Sequence, residues 1–232
     1  PRTARRANLL GAAGAALAVV AFMLSTELLN LAWILASIAA GSVIAVIAAR
    51  NANDEVAVYP PVEMDFHPEA NLVEMLVCPA RIAPLLAAEA EALAERVIRA
   101  FDICGLLAVE MFVAANGDLL VNEVAPRPHN SGHHTIDSAE TSQYQQHLRA
   151  ICNLPLGKTT QRTPAVMVNL LGEPGHNGPV HYAGVGECLA IEGVHVHLYG
   201  KAITKPFRKM GHVTVTAQTL DGAIEKANQV RR

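Results

Sequence analysis

Apolar and polar positions follow three different patterns along this chain, and each predicts a different element. Between residues 7 and 49 the only ionisable side chain is Glu27, which separates two apolar runs, 7–26 and 28–49. Each run is about as long as a helix that crosses a bilayer, so the pattern predicts a transmembrane-like helical hairpin over residues 1–50. Arg2, Arg5 and Arg6 precede the first run, Arg50 follows the second, and Glu27 and Asn30 mark the turn. Positive charge on both outer flanks predicts that both ends of the hairpin are cytoplasmic. The stretches GAAGAALA and ASIAAG supply small residues that let two such helices pack closely. A signal peptide fits less well, because the second run is too long and follows too soon. A buried helical pair in a soluble protein is the remaining alternative.

Beyond Asn51 the patterning is that of a soluble α/β chain. EVAVYPPVEM predicts a strand ending at a proline turn, and a loop rich in Pro and Asn follows. Residues 83–100, APLLAAEAEALAERVIRA, carry apolar positions at helical spacing with acids between them, which predicts an amphipathic helix. GLLAVEMFV and DLLVNEVA are β-type runs joined around Asn116-Gly117, a strong hairpin signal. A second helix is predicted over 138–152, ending before Leu154-Pro155.

That hairpin carries the first candidate chemistry. If Asn116-Gly117 are the two central residues of the turn, Glu110 lies directly opposite Glu123, with Cβ atoms about 5 Å apart. Two carboxylates so placed repel one another, and a divalent cation between them reverses the sign. Hard oxygen ligands suit magnesium held jointly by protein and phosphate. Asn122 falls on the opposite face by simple alternation, so a metal contact from it requires a bulge or a strand end. The competing reading leaves Glu110 facing solvent, or shifts the register through a longer turn.

Composition narrows the classes. A net charge of −3 over 232 residues gives no sign of a nucleic-acid partner. The mean hydropathy of +0.25 is high for a soluble enzyme, and the apolar excess lies in the first fifty residues. Cys78, Cys104, Cys152 and Cys188 are widely spaced with no CxxC pair, which predicts buried free thiols in a reducing compartment. LGKTT at 156–160 mimics the end of a Walker A loop, but Cys152 stands where its first glycine is required. His195 and His197 alternate on a predicted strand without a fixed carboxylate or cysteine partner, so they make a weak transition-metal site.

With the acids placed, VNEVAPRPHNSGHHT at 121–135 resembles the magnesium-ATP and substrate segment of ATP-grasp enzymes. More closely, it is similar to the 5-(carboxyamino)imidazole ribonucleotide synthase family of purine biosynthesis. The similarity continues through TSQYQQHLRAICNLPLG, AVMVNLLG and HLYGKAITKPFRKMGHVTV and covers about residues 51–232. It implies the C-terminal part of an ATP-grasp fold over 51–157 and a small β-rich C-terminal domain over 158–232, an α+β architecture. The implied cofactors are ATP and magnesium, and the implied substrates are aminoimidazole ribonucleotide and bicarbonate, the latter activated as carboxyphosphate. A homodimer is a further implication.

By that resemblance Glu110 and Glu123 hold magnesium, with Asn122 beside them at the ATP phosphates, while Arg127 and His129 handle bicarbonate or carboxyphosphate. A planar guanidinium matches an oxyanion bidentately, and an imidazole can donate to it or move a proton. Asn130, Ser131 and Gly132 offer short side chains and backbone N–H groups as an anion pocket. Lys201, Arg208 and Lys209 match the basic segment that grips the ribonucleotide phosphate. His134 stands where the family usually has tryptophan, and apolar Val43 stands where it has an acidic residue. The stretch TARRANLLGAAGAALAVVAF…LAWILASIAAGSVIAVIAAR resembles instead the first membrane segment of the NAD(P) transhydrogenase β subunit. It occupies the place of the family's N-terminal domain and ATP-grasp lid. The chain therefore reads as a fusion or fragment with a seam near residues 46–51, and a non-catalytic membrane-anchored fragment is the alternative.

Overall fold

The structure, a computed structural model, describes residues 42–66, 72–114 and 116–231. Strand β1, Ser42–Arg50, overturns part of the expected membrane hairpin. SVIAVIAAR is not the end of a helix but an interior strand of a nine-stranded antiparallel sheet, hydrogen-bonded along both edges. Ile44, Val46 and Ala48 face one side of the sheet and Ala45, Ile47 and Ala49 the other, none more than 2% exposed. A strand covered on both faces has no polar side to display, so its sequence is a continuous apolar run. Hydropathy cannot distinguish such a run from a membrane helix. The rest of the predicted hairpin, residues 1–41, lies outside the described residues. Among the described residues no helix is long and apolar enough to cross a membrane.

EVAVYPPVEM forms two strands, β2 (Val56–Val58) and β3 (Val62–Phe66), because Pro60 and Pro61 lack the N–H groups a continuous ladder needs. Strand β4 (Val73–Cys78) precedes helix α1, Pro84–Ala100, which matches its expected span within a residue. Pro84 sits in its first turn, where no N–H partner is required. Ala90, Ala94 and Ile98 recur at four-residue spacing and pack on β1 and on β5 (Gly105–Val113). Strand β6 (Leu119–Ala125) completes the hairpin. A 3-10 turn (Asn130–Gly132) and a short helix α2 (Thr135–Ser138) follow. Helix α3, Gln143–Ile151, starts five residues later than expected. Ser142 caps it in a reciprocal box with Gln145, and that local satisfaction of backbone groups sets the start. Its inner side covers the second face of β1 and β5, where Ile47, Ala49, Tyr59, Leu106 and Ala108 cluster.

Strands β7 (Ala165–Leu171), β9 (Val194–Leu198) and β11 (Lys209–Thr216) extend the same sheet, whose order is β6-β5-β1-β3-β4-β7-β11-β9 with β2 beside β1. Strands β8 (Gly178–Pro179) and β10 (Ile203–Thr204) form a separate ribbon. Helix α4 (Val185–Leu189) and helix α5 (Leu220–Val230) complete the chain, α5 packing on Val166, Val168, Val213 and Val215. The boundary expected near residue 157 does not interrupt the sheet, because β4 pairs directly with β7. Residues 42–113 and 119–231 accordingly form one compact unit. The thiols differ from expectation: Cys78 is buried, but Cys104 and Cys152 are exposed.

Candidate active site

The paired acids are present, by a route the turn signal did not predict. The hairpin closes through Ala114 N–H on the Asp118 carbonyl and Gly117 N–H on the Ala114 carbonyl, with Gly117 at φ +90°. This is a three-residue loop rather than the expected two-residue one, and it offsets the register by one position. Val113 pairs with Leu119, Phe112 with Leu120 and Met111 with Val121. A bulge then inserts Asn122, and Glu110 pairs with Glu123 after all. The bulge also removes the objection to Asn122, since the extra residue of a bulge escapes simple alternation. Asn122 and Glu123 are both exposed, on the strand that ends the sheet.

Glu110 and Glu123 each bring a carboxylate oxygen, and His129 a ring nitrogen, to within 4.8 Å of one another. His129 Nε2 lies 3.6 Å from Glu110 Oε1, and both side chains are largely buried. Burial first, and the Glu123 charge second, raise the Glu110 pKa, while Lys209 pulls it down. Burial also drives the His129 pKa down to about 4, helped by Arg127 and Lys209. His129 is therefore a neutral imidazole at pH 7. The Ser131 N–H and hydroxyl lie 3.4 and 2.9 Å from its Nδ1. A backbone N–H on Nδ1 makes that atom the acceptor and leaves the proton on Nε2, facing Glu110. The donor set fits a hard divalent cation: two carboxylates close to one another, with an exposed amide adjacent.

Lys209 stands at the start of β11, on another part of the sheet. Five strand steps separate β5 from β11, roughly 24 Å in a flat sheet. The Lys209 charge nevertheless lowers the Glu110 and His129 pKa values, and the stack of His133 on His212 ties the turn after β6 to β11. Lys201 Nζ donates to the Lys209 carbonyl and lies 5.3 Å from the Tyr199 ring centre. Arg208 is exposed and spends one N–H on the Ile203 carbonyl at 2.7 Å. Arg127 is also exposed, with one N–H on the Pro128 carbonyl at 3.1 Å and the rest of its fork free of protein hydrogen bonds among the described residues.

Asn130, Ser131 and Gly132 depart from the anion-pocket expectation. Asn130 exchanges amide hydrogen bonds with Asn169 on β7, at 2.8 and 3.2 Å. Ser131 and Gly132 are buried, and the N–H groups of Ser131 and Gly132 turn back onto His129. The short residues here close a turn, in which the Ser131 and Gly132 N–H groups are spent on His129. His134, in the position expected to hold tryptophan, is buried with Nδ1 2.8 Å from Ser138 Oγ, whose hydroxyl donates to the His134 carbonyl.

Sequence reasoning missed a second constellation. His197 Nε2 lies 2.8 Å and His195 Nδ1 3.7 Å from the two oxygens of Asp137, the carboxylate partner that spacing along the chain did not reveal. The His197 ring stacks on His212 at 4.4 Å between centroids, and His212 on His133 at 5.0 Å. Tyr199 lies 2.9 Å from His212 Nδ1. Burial lowers the His133 and His212 pKa values to about 4 and about 3. The available signal was the alternation of GHVTVT, which puts His212 on one face with Thr214.

Residues 35–144 match the ATP-grasp domain family, and residues 165–226 match the phosphoribosylaminoimidazole carboxylase C-terminal domain. The chain joins these two domains. The ATP-grasp match begins before β1, so that strand falls within the matched domain and not in a membrane segment. N5-carboxyaminoimidazole ribonucleotide synthase of Bacillus subtilis is 42% identical over 183 residues, 79% of this chain and 46% of that protein. The crystal structure of N5-carboxyaminoimidazole ribonucleotide synthetase from Thermotoga maritima is similar at a TM-score of 0.76 and 47% identity, covering 82% of this chain and 51% of that one. An Aspergillus clavatus N5-carboxyaminoimidazole synthase, solved with ADP and 5-aminoimidazole ribonucleotide, gives 0.74 at 36% identity, covering 81% and 50%. The chain thus spans about half the length of these relatives. The paired acids and His129 fall within the ATP-grasp match, and Lys201 and Lys209 within the C-terminal domain match.

Proposed function

We propose that this chain carries the magnesium-nucleotide and carboxyphosphate half of an ATP-dependent ligase that carboxylates 5-aminoimidazole ribonucleotide. In that reaction bicarbonate oxygen attacks the γ-phosphorus of ATP, releasing ADP and forming carboxyphosphate. The exocyclic amine of the ribonucleotide then takes the carboxyl group, and phosphate and a proton leave. The observation that carries the reading is the cross-strand pair Glu110–Glu123, set beside His129. The names of the relatives supply the substrate class.

Magnesium, when bound, would neutralise phosphate oxygens and shield the two carboxylates from one another. Glu110 and Glu123 would hold it, and Asn122 on the bulge would reach the phosphates. Arg127, exposed with unspent donors among the described residues, would take the planar bicarbonate or carboxyphosphate bidentately. His129, neutral with its proton on Nε2, would donate a hydrogen bond without adding charge. Lys209, with Lys201 tied to its carbonyl, would face the anionic substrate, and Arg208 is exposed close by in sequence. Asn130, Ser131 and Gly132 would shape this floor as a rigid turn.

Calorimetry of magnesium-ADP binding tests the reading. The unsubstituted chain is expected to bind, and the Glu110→Gln, Glu123→Gln double variant to lose at least tenfold in affinity. Equal affinity in both, or no binding by the unsubstituted chain, refutes it.

A further inference from the structure

Gln143, the first residue of α3, is fully buried although its side chain is polar. A buried amide is costly unless each of its groups is bonded, and here each one is. Its Oε1 accepts the His129 N–H at 2.8 Å, and its Nε2 donates to the His129 carbonyl at 2.8 Å. The backbone decides which end of the amide is which, since an N–H can only donate and a carbonyl only accept. One amide hydrogen is thereby used, and the other is directed at His133 Nδ1, 2.8 Å away. The Tyr144 hydroxyl lies 3.0 Å from the same nitrogen. A proton on Nδ1 would point at the amide hydrogen, so Nδ1 is the acceptor and the proton sits on Nε2. The site has no room to spare: a Cβ on Gly132 would come 2.5 Å from Gln143 Oε1. The Gln143 N–H also donates to Thr135 Oγ1 at 2.9 Å, and that hydroxyl donates to the Gly132 carbonyl at 2.6 Å.

We propose that Gln143 is the positioning residue of the site: its amide clamps the His129 backbone on both sides beside Glu110, and it imposes the Nε2–H tautomer on His133. The clamp matters for catalysis only if the reading above holds, but the tautomer does not depend on it. His133 touches the clamp at one edge and stacks on His212 through its face. One side chain therefore sets both the reactive turn and the first ring of the imidazole stack.

The test uses the full chain labelled with nitrogen-15 and two-bond proton–nitrogen correlation spectra of the histidine rings at pH 7. His133 is expected as the Nε2–H tautomer in the unsubstituted protein. A His133 Nδ1–H form there overturns the proposal without any variant. In Gln143→Glu the new carboxylate needs a proton from Nδ1, so the His133 signals should move to the Nδ1–H or doubly protonated pattern. Unmoved signals overturn the proposal. In Gln143→Leu, folded by the same spectra, manganese-ADP affinity should fall about fivefold, and an unchanged affinity overturns the positioning role. If the His133 signals shift but Glu110→Gln, Glu123→Gln binds manganese-ADP as well as the unsubstituted chain, the proposed function fails and the tautomer assignment stands.

Discussion

Without a cation, the Glu110–Glu123 pair should be a measurable defect in the fold, and replacing one acid should repair it. Carboxylate oxygens of the two residues lie within 4.8 Å. At that separation two unit charges repel by about 3 kcal/mol at an effective dielectric of about 20, and by about 1 kcal/mol in bulk water. Glu123 is exposed, so solvent screening places the effect near the lower figure. Glu123→Gln in a chelator should therefore stabilise the protein by about 1 kcal/mol, a rise in Tm of about 2–4 °C for a chain of this size. The pH dependence has a definite sign. The folded-state pKa of Glu110 is raised, so the folded protein binds the extra proton as pH falls through that value. The penalty is present in full above the raised pKa and disappears below the unfolded value. The gain from Glu123→Gln should thus be largest near neutral pH and vanish in acid. Added magnesium should raise the Tm of the unsubstituted protein more than that of the variant. Thermal scans in chelator and in magnesium across pH 4–8 measure all of this. A Glu123→Gln protein less stable than its parent in chelator at pH 7 would refute the repulsion argument.

Three other outcomes follow from buried polar groups. Tyr59→Phe removes a hydroxyl that donates to the Thr141 carbonyl at 2.8 Å in a site 2% exposed; urea unfolding should show a loss of about 1–2 kcal/mol. Gly132→Ala pushes a methyl onto Gln143 Oε1; it should cost about 1–3 kcal/mol by the same assay and release the His129 turn, weakening magnesium-ADP binding. His133, His134 and His212 have pKa values lowered to about 4, 4 and 3, chiefly by burial. The unfolded chain then takes up protons the folded one refuses, so stability is lost as pH falls from about 6.5 towards 4. Each neutral histidine contributes a slope of up to about 1.4 kcal/mol per pH unit, and His212→Asn should flatten the Tm profile in that window.

The sequence by itself determined whatever rests on local periodicity and local bonding. The four-residue spacing of Ala90, Ala94 and Ile98 specified α1, and the two β-type runs around Asn116-Gly117 specified the hairpin. The motif APRPHNSGH carried the resemblance to the family. It did not determine why Glu110 meets Glu123, because a three-residue loop and a bulge at Asn122 have compensating effects on the register. Either change alone would separate the acids. Nor could hydropathy separate β1 from a membrane helix, since both must be apolar all round: one faces protein on both sides, the other faces lipid. Only the tertiary structure decided that Asp137 lies against His195 and His197, that His133 stacks on His212, and that Gln143 bonds to His129 and His133. Those contacts join elements distant in sequence through the strand order of one sheet and the packing of α3. Neither leaves a periodic trace in the chain. A polar residue at the start of a capped helix reads as solvated, and only the packing of α3 buried Gln143 against the His129 backbone.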